Sequence, residues 1–127
     1  GTWTRTDEGQ ERVHNYTWGL KRKFLRSNGR KDPMEAWDGL IGIDHGVGTV
    51  GWWGYFEDGT TGVCHLVNAE DDAWTFVGEV DKPDGTYHRL VAIKKLAGDR
   101  LQSNVLDTKD GKSTTIVEDE IWERKSE

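Results

Sequence analysis

The chain has a single cysteine, Cys64, and two prolines among its 127 residues. One cysteine excludes an intrachain disulfide framework and a cysteine-based zinc cluster. Basic residues are outnumbered 17 to 23, giving a formal net charge of −6. That balance argues against a general nucleic-acid binder, which needs a basic surface. No run approaches the roughly 18 consecutive apolar residues of a membrane-crossing helix. No segment holds a helical period over about eleven residues. The best helical candidate is the single turn Asp32-Pro33-Met34-Glu35-Ala36. Linkers, low-complexity stretches and solenoid repeats are missing too. No leader-like segment opens the chain at Gly1, so the expected compartment is cytoplasmic, although a removed signal would leave the same start.

What the chain does have is aromatic surface and glycine. Seven Trp, three Tyr and three Phe offset a hydrophobic content of 34% and a charged content of 31%. A chain of this length forms one domain, 1–127, and can bury about two-thirds of its unfolded surface. The 16 glycines cluster with Asp, Asn and Pro at turn signals every ten to twelve residues or so. Asp58-Gly59, Pro83-Asp84-Gly85, Ala97-Gly98-Asp99 and Asp110-Gly111 are examples. Asp-Gly supplies the positive φ angles that a tight hairpin needs.

Between the turns lie runs rich in Val, Ile, Thr, Trp, Tyr and Phe. They predict strands near 2–6, 11–18, 23–29, 37–44, 49–57, 61–69, 73–81, 86–95, 100–107 and 113–124. Ten antiparallel strands in a meander predict an all-β, closed up-and-down barrel, because closure removes exposed edges.

Each turn fixes which residues oppose each other, and side chains alternate faces. A two-residue Asp58-Gly59 turn sets Trp52 opposite His65. A four-residue loop at 69–72 then sets His65 opposite Phe76 and Val67 opposite Trp74. The Pro-Asp-Gly turn sets Phe76 opposite Ala92 and Glu79 opposite Arg89; Ala92 then faces Ser103, and Ser103 faces Glu118. Upstream, Ile41 faces Trp52 and Tyr16 faces Arg26. The more apolar face holds Trp37, Ile41, Trp52, Val63, His65, Trp74, Phe76, Leu90, Ala92 and Val105, and is assigned to the interior. Glu79–Arg89 and Cys64 go outside on this count.

The interior face also carries His14, Tyr16, Arg26, His65, His88, Ser103 and Glu118. Buried polar groups without partners cost several kcal/mol each. They either satisfy one another or line a wet cavity. His65 and Glu118 facing across the lumen would make an acid–base pair; a satisfied interior histidine and a glutamate at the barrel mouth are the plainer alternative. Arg26 beside Tyr16 would make a carboxylate clamp, unless Arg26 simply pairs with an interior acid. His14, His65 and His88 invite a three-histidine metal site. His65 and His88 are, however, out of register by about four residues, or roughly 13 Å, so no metal is expected. His45 lies in a turn and is most simply exposed. Trp52, Trp74 and Phe76 serve as core and as cavity wall.

Several segments also carry a family resemblance. They are Gly1-Thr2-Trp3, Trp18 with Lys23-Phe24-Leu25-Arg26, Ile41-Gly42-Ile43-Asp44, and Trp53 ahead of Asp58-Gly59. Trp74, Pro83-Asp84-Gly85 and the stretch from Asp107 to Gly111 continue it. Over nearly its whole length the chain resembles small bacterial calycin-like (lipocalin-like) barrels of largely uncharacterised function, often found beside SnoaL-type domains. It departs from them at Ile43, where Trp is frequent, and at His45, where Pro is frequent. The resemblance implies a calycin-like, cup-shaped barrel with a central cavity and carries over no catalytic residues.

Two functions are therefore expected from different classes. The first is a cofactor-independent enzyme of lyase or isomerase type acting on a small carboxylate or aromatic substrate. His65 and Glu118 would move protons, while Tyr16, Arg26, Trp52, Trp74, Phe76, His88 and Ser103 bind. The second is a non-catalytic carrier of a hydrophobic or amphipathic ligand. Expected partners are a small molecule and, as an option, a second copy in a homodimer, with neither nucleic acid nor membrane.

Overall fold

The computed structural model describes residues 1–7, 10–19, 23–31, 34–109 and 113–125. Ten strands follow in chain order: β1 (Thr2–Asp7), β2 (Gln10–Gly19), β3 (Phe24–Lys31), β4 (Met34–Asp44), β5 (Thr49–Phe56), β6 (Thr61–Ala69), β7 (Ala73–Lys82), β8 (Gly85–Leu96), β9 (Arg100–Lys109) and β10 (Ser113–Arg124). Each pairs antiparallel with the next, and β1 pairs with β10 to close the barrel. The fold is thus an all-β, up-and-down barrel. No helical turn forms at Met34–Ala36, which open β4 instead, while Asp32 and Pro33 lie outside the described residues.

The closing seam is short, with Trp3 opposite Arg124 and Thr4 opposite Glu123. One backbone bond reinforces it: Lys125 N donates to the Thr2 carbonyl at 2.8 Å. On the other side of β10, Arg124 N donates to the Asp99 carbonyl at 3.0 Å. The N-terminal ammonium reaches the Tyr16 carbonyl at 3.0 Å.

Turn geometry decides which side chains face inward. Across β4–β5 the register matches the hairpin arithmetic, with Ile41 opposite Trp52 and Asp44 opposite Thr49. At β5–β6 it does not. The connection is three residues, not two: Phe56 N bonds the Thr60 carbonyl, and Gly59 N bonds the Phe56 carbonyl. Asp58 caps the turn by accepting from Thr60 N at 2.8 Å, and Gly59 takes φ +88°, a left-handed conformation that suits glycine. The extra residue sets Trp52 opposite Cys64. The side chains of β6 up to Val67 change face, so Cys64 and Leu66 point in while Val63, His65 and Val67 point out.

A bulge between Leu66 and Asn68 sets Leu66 opposite Phe76, which returns Trp74 and Phe76 to the interior. The next hairpin slips again. Pro83-Asp84 is the turn and Gly85 is already paired with Lys82, so Phe76 faces Val91. Tyr87, Arg89, Val91 and Ile93 therefore point in, and His88, Leu90 and Ala92 point out. The slip at β8–β9 sets Ile93 opposite Ser103 and keeps Ser103 inside. Upstream, Tyr16 faces Ser27, so Arg26 points out.

The core is the cluster of Cys64, Phe76 and Val91. Val50, Trp52, Leu66, Trp74, Ile93 and Val105 pack around it. Aromatic rings extend the packing from Phe76 to Trp52, Trp37 and Phe56, with centroid separations of 5.3 to 6.3 Å.

Candidate ligand cavity in the barrel lumen

Beside this core the lumen keeps a cavity of about 250 Å³. One wall is aromatic and apolar, formed by Trp37, Trp52, Phe56, Val91 and Ile93. The polar lining comes from Arg12, His14 and Tyr16 on β2, Arg30 on β3, Arg89 on β8 and Glu118 on β10.

Glu118 is held by a short relay. Trp122 Nε1 donates to Ser103 Oγ at 2.9 Å, and Ser103 Oγ donates to Glu118 Oε2 at 2.6 Å. A bulge between Ile116 and Glu118 creates this arrangement. It pairs Glu118 with Val105 and Glu120 with Ser103, so Glu118 meets Ser103 diagonally. Burial raises the Glu118 carboxyl above the usual carboxylate range, against the pull of the Ser103 hydrogen bond and of Arg5. Arg5 itself pairs with Glu120 at 3.1 Å and lies 5.2 Å from the Trp122 ring.

His14 lies flat on Trp122, with ring centroids 3.7 Å apart, and meets Trp37 edge-on. Burial, helped by the charge on Arg5, lowers its pKa to about 3, so it is neutral at pH 7. Tyr16 is pushed well above the ordinary phenol range by burial and then by the charge of Glu118, while Ser27 acts the other way. At neutral pH these rings offer polar atoms without charge.

A second cluster carries formal charge. Arg89 grips Asp107 with two bonds, Nε to Oδ1 at 2.7 Å and Nη2 to Oδ2 at 2.8 Å. Lys82 Nζ meets Oδ2 at 2.6 Å. The Asp107 side chain is 0% exposed and that of Arg89 8%. Burial alone would raise the Asp107 carboxyl; Arg89 and Lys82 overcome it and hold the group below its ordinary range. Arg89 also lies 5.2 Å from the Phe56 ring, and Lys82 4.4 Å from the Tyr87 ring. Cys64 lines the same cavity, and burial pushes its thiol up to about 11.

The structure thus brings together Tyr16, Trp52, Ser103 and Glu118 around the lumen, with Phe76 and Trp74 in the core beneath. It separates three residues expected there. His65 is outside, bonded through Nε2 to Asp44 Oδ2 at 2.9 Å. Arg26 is half exposed and grips Asp38 at 2.9 and 3.1 Å. The His88 side chain is 70% exposed, 3.8 Å from Glu79. The His65–Glu118 pair and the Arg26–Tyr16 clamp therefore do not form. Nor does Glu79–Arg89, since Arg89 faces Gly78 and turns inward to Asp107. Among the described residues no group of three His, Cys, Asp or Glu side chains is arranged to hold a metal ion.

Sequence reasoning missed Arg12, Lys82, Arg89 and Asp107, and placed Cys64 on the wrong face. Counting Pro83-Asp84 as a two-residue turn would have found Arg89. Neither a scan against protein-family models nor a search of curated proteins gives a match.

Proposed function

We propose that the chain is a small-molecule-binding barrel of calycin-like type that holds an aromatic or amphipathic ligand in its lumen. One observation carries this reading. The rings of Trp37, Trp52 and Phe56 and the fixed carboxyl of Glu118 line one 250 Å³ cavity. Apolar walls with a few convergent polar groups are what small-molecule sites generally offer. Of the two expected functions, carrier and enzyme, the carrier gains weight because His65 lies outside the lumen.

Proton-transfer chemistry keeps one specific support. Glu118 is a buried carboxyl with a raised pKa on a cavity wall, which suits a single general acid or base. It would work without the histidine partner.

Tryptophan fluorescence tests the reading, since Trp37, Trp52 and Trp122 all line the cavity. Titration with aromatic carboxylates, their amides and fatty acids should quench or shift emission saturably for one class. Trp52→Phe should reduce the amplitude. A flat response across all classes would sink the proposal. Product formation by the wild type but not by Glu118→Gln, with binding retained, would move the assignment from carrier to enzyme.

A further inference from the structure

We infer that the lumen selects an anion, an aromatic acid with a carboxylate-type group, and that Arg89 is its anchor. This inference rests on the lumen-binding reading and names the class of ligand within it.

Arg89 and Lys82 both bond Asp107, so the three side chains carry two positive charges and one negative. The cluster keeps one formal positive charge in a largely buried setting. Arg89 spends Nε and Nη2 on Asp107. Its guanidinium lines the cavity and lies 5.2 Å from Phe56, which belongs to the aromatic wall. Asp107 fixes the fork, so little side-chain entropy remains to be lost when an anion arrives. Charge in a buried site is screened far less than at the surface. A ligand with a planar ring and an acidic group can lay the ring on Trp37, Trp52 or Phe56 and bring the group to Arg89.

The other charged groups along the lumen do not reverse this preference. Arg12 and Arg30 line the same cavity and have the same sign. Glu118, which Ser103 holds on the lining, is the opposing carboxyl, and burial favours its neutral form. Glu120 is paired with Arg5. A cation would meet Arg89 unfavourably.

The test is calorimetric titration of the intact chain with naphthoate and with naphthamide. These have nearly the same shape and differ in charge. The wild type should bind naphthoate at least about tenfold more tightly. Lys82→Met leaves the Arg89–Asp107 pair intact and removes the surplus charge; it should cut that preference to about threefold or less. Arg89→Met combined with Asp107→Leu removes both partners together and should abolish the preference while naphthamide still binds. Circular dichroism reports whether this double variant folds, and Lys82→Met carries the test if it does not.

Equal or tighter binding of naphthamide by the wild type would overturn the anion assignment and leave the lumen reading standing. Failure of both probes to bind would overturn the aromatic-acid assignment, and the lumen reading with it only if fatty acids also leave the tryptophan emission unchanged. An unchanged preference in Lys82→Met would show that the buried cluster is not its source.

Discussion

His14 lies face to face with Trp122, their ring planes 21° apart and their centroids 3.7 Å apart. The stack holds a half-buried imidazole inside the barrel, and the cost of protonating it there sets an acid limit on the fold. With a folded pKa near 3 and an unfolded value of 6.5, the native state refuses a proton that the unfolded chain accepts. The His14 contribution is therefore complete above pH 6.5. It is lost as pH falls from 6.5 toward 3, on the order of 5 kcal/mol in all. His14→Phe should flatten the fall in urea midpoint over that window. An unchanged slope between pH 6 and 4 would show that His14 charges freely in the folded barrel.

The two arginine–aspartate pairs should differ sharply in worth. Asp107→Asn leaves Arg89 and Lys82 without their carboxylate in a buried setting, and should cost about 3–5 kcal/mol. Asp38→Asn breaks a pair of the same bidentate form on the outer surface, where Arg26 is 50% exposed, and should cost less than about 1 kcal/mol. Urea denaturation of both variants checks this. Comparable losses would mean that burial is not what separates them.

Cys64 should be slow to react. It is buried, and its thiol is pushed up to about 11, so thiolate is scarce at pH 7. Ellman's reagent should label the native chain at least about a hundredfold more slowly than the urea-unfolded chain. Full labelling within mixing time would put Cys64 in contact with solvent.

Gly78 sits opposite Cys64, where β6 and β7 run close together. A Cβ there would collide with the Val63 carbonyl oxygen and come within 2.7 Å of the Cys64 Cα. Backbone cannot step aside as the end of a side chain can. Gly78→Ala should therefore lower stability by about 1–3 kcal/mol or more. Gly19→Ala meets nothing within 4 Å and serves as the control. Equal melting temperatures for the two variants would contradict the close approach.

The sequence by itself determined the all-β class, the order of ten strands and the position of nearly every turn, because Asp-Gly and Pro-Asp-Gly act locally on φ and ψ. It also placed Tyr16, Trp52, Trp74, Phe76, Ser103 and Glu118 on the inner face. Some of these positions survived because errors cancelled. The slip at Asp58-Gly59 turned β6 over, and the bulge after Leu66 turned β7 back.

Only the tertiary structure decided the facing of β3, β6 and β8. Side chains alternate with a period of two, so one residue more or less in a turn inverts a whole strand. Hydrophobicity could not correct the error. Leu90, Val91, Ala92 and Ile93 are apolar on both faces of β8, and Val63, Val67 and Leu90 face outward although apolar. Arg89 and His65 exchanged places for that reason. The basic group of the lumen became the arginine paired with Asp107, and the histidine went outside to Asp44.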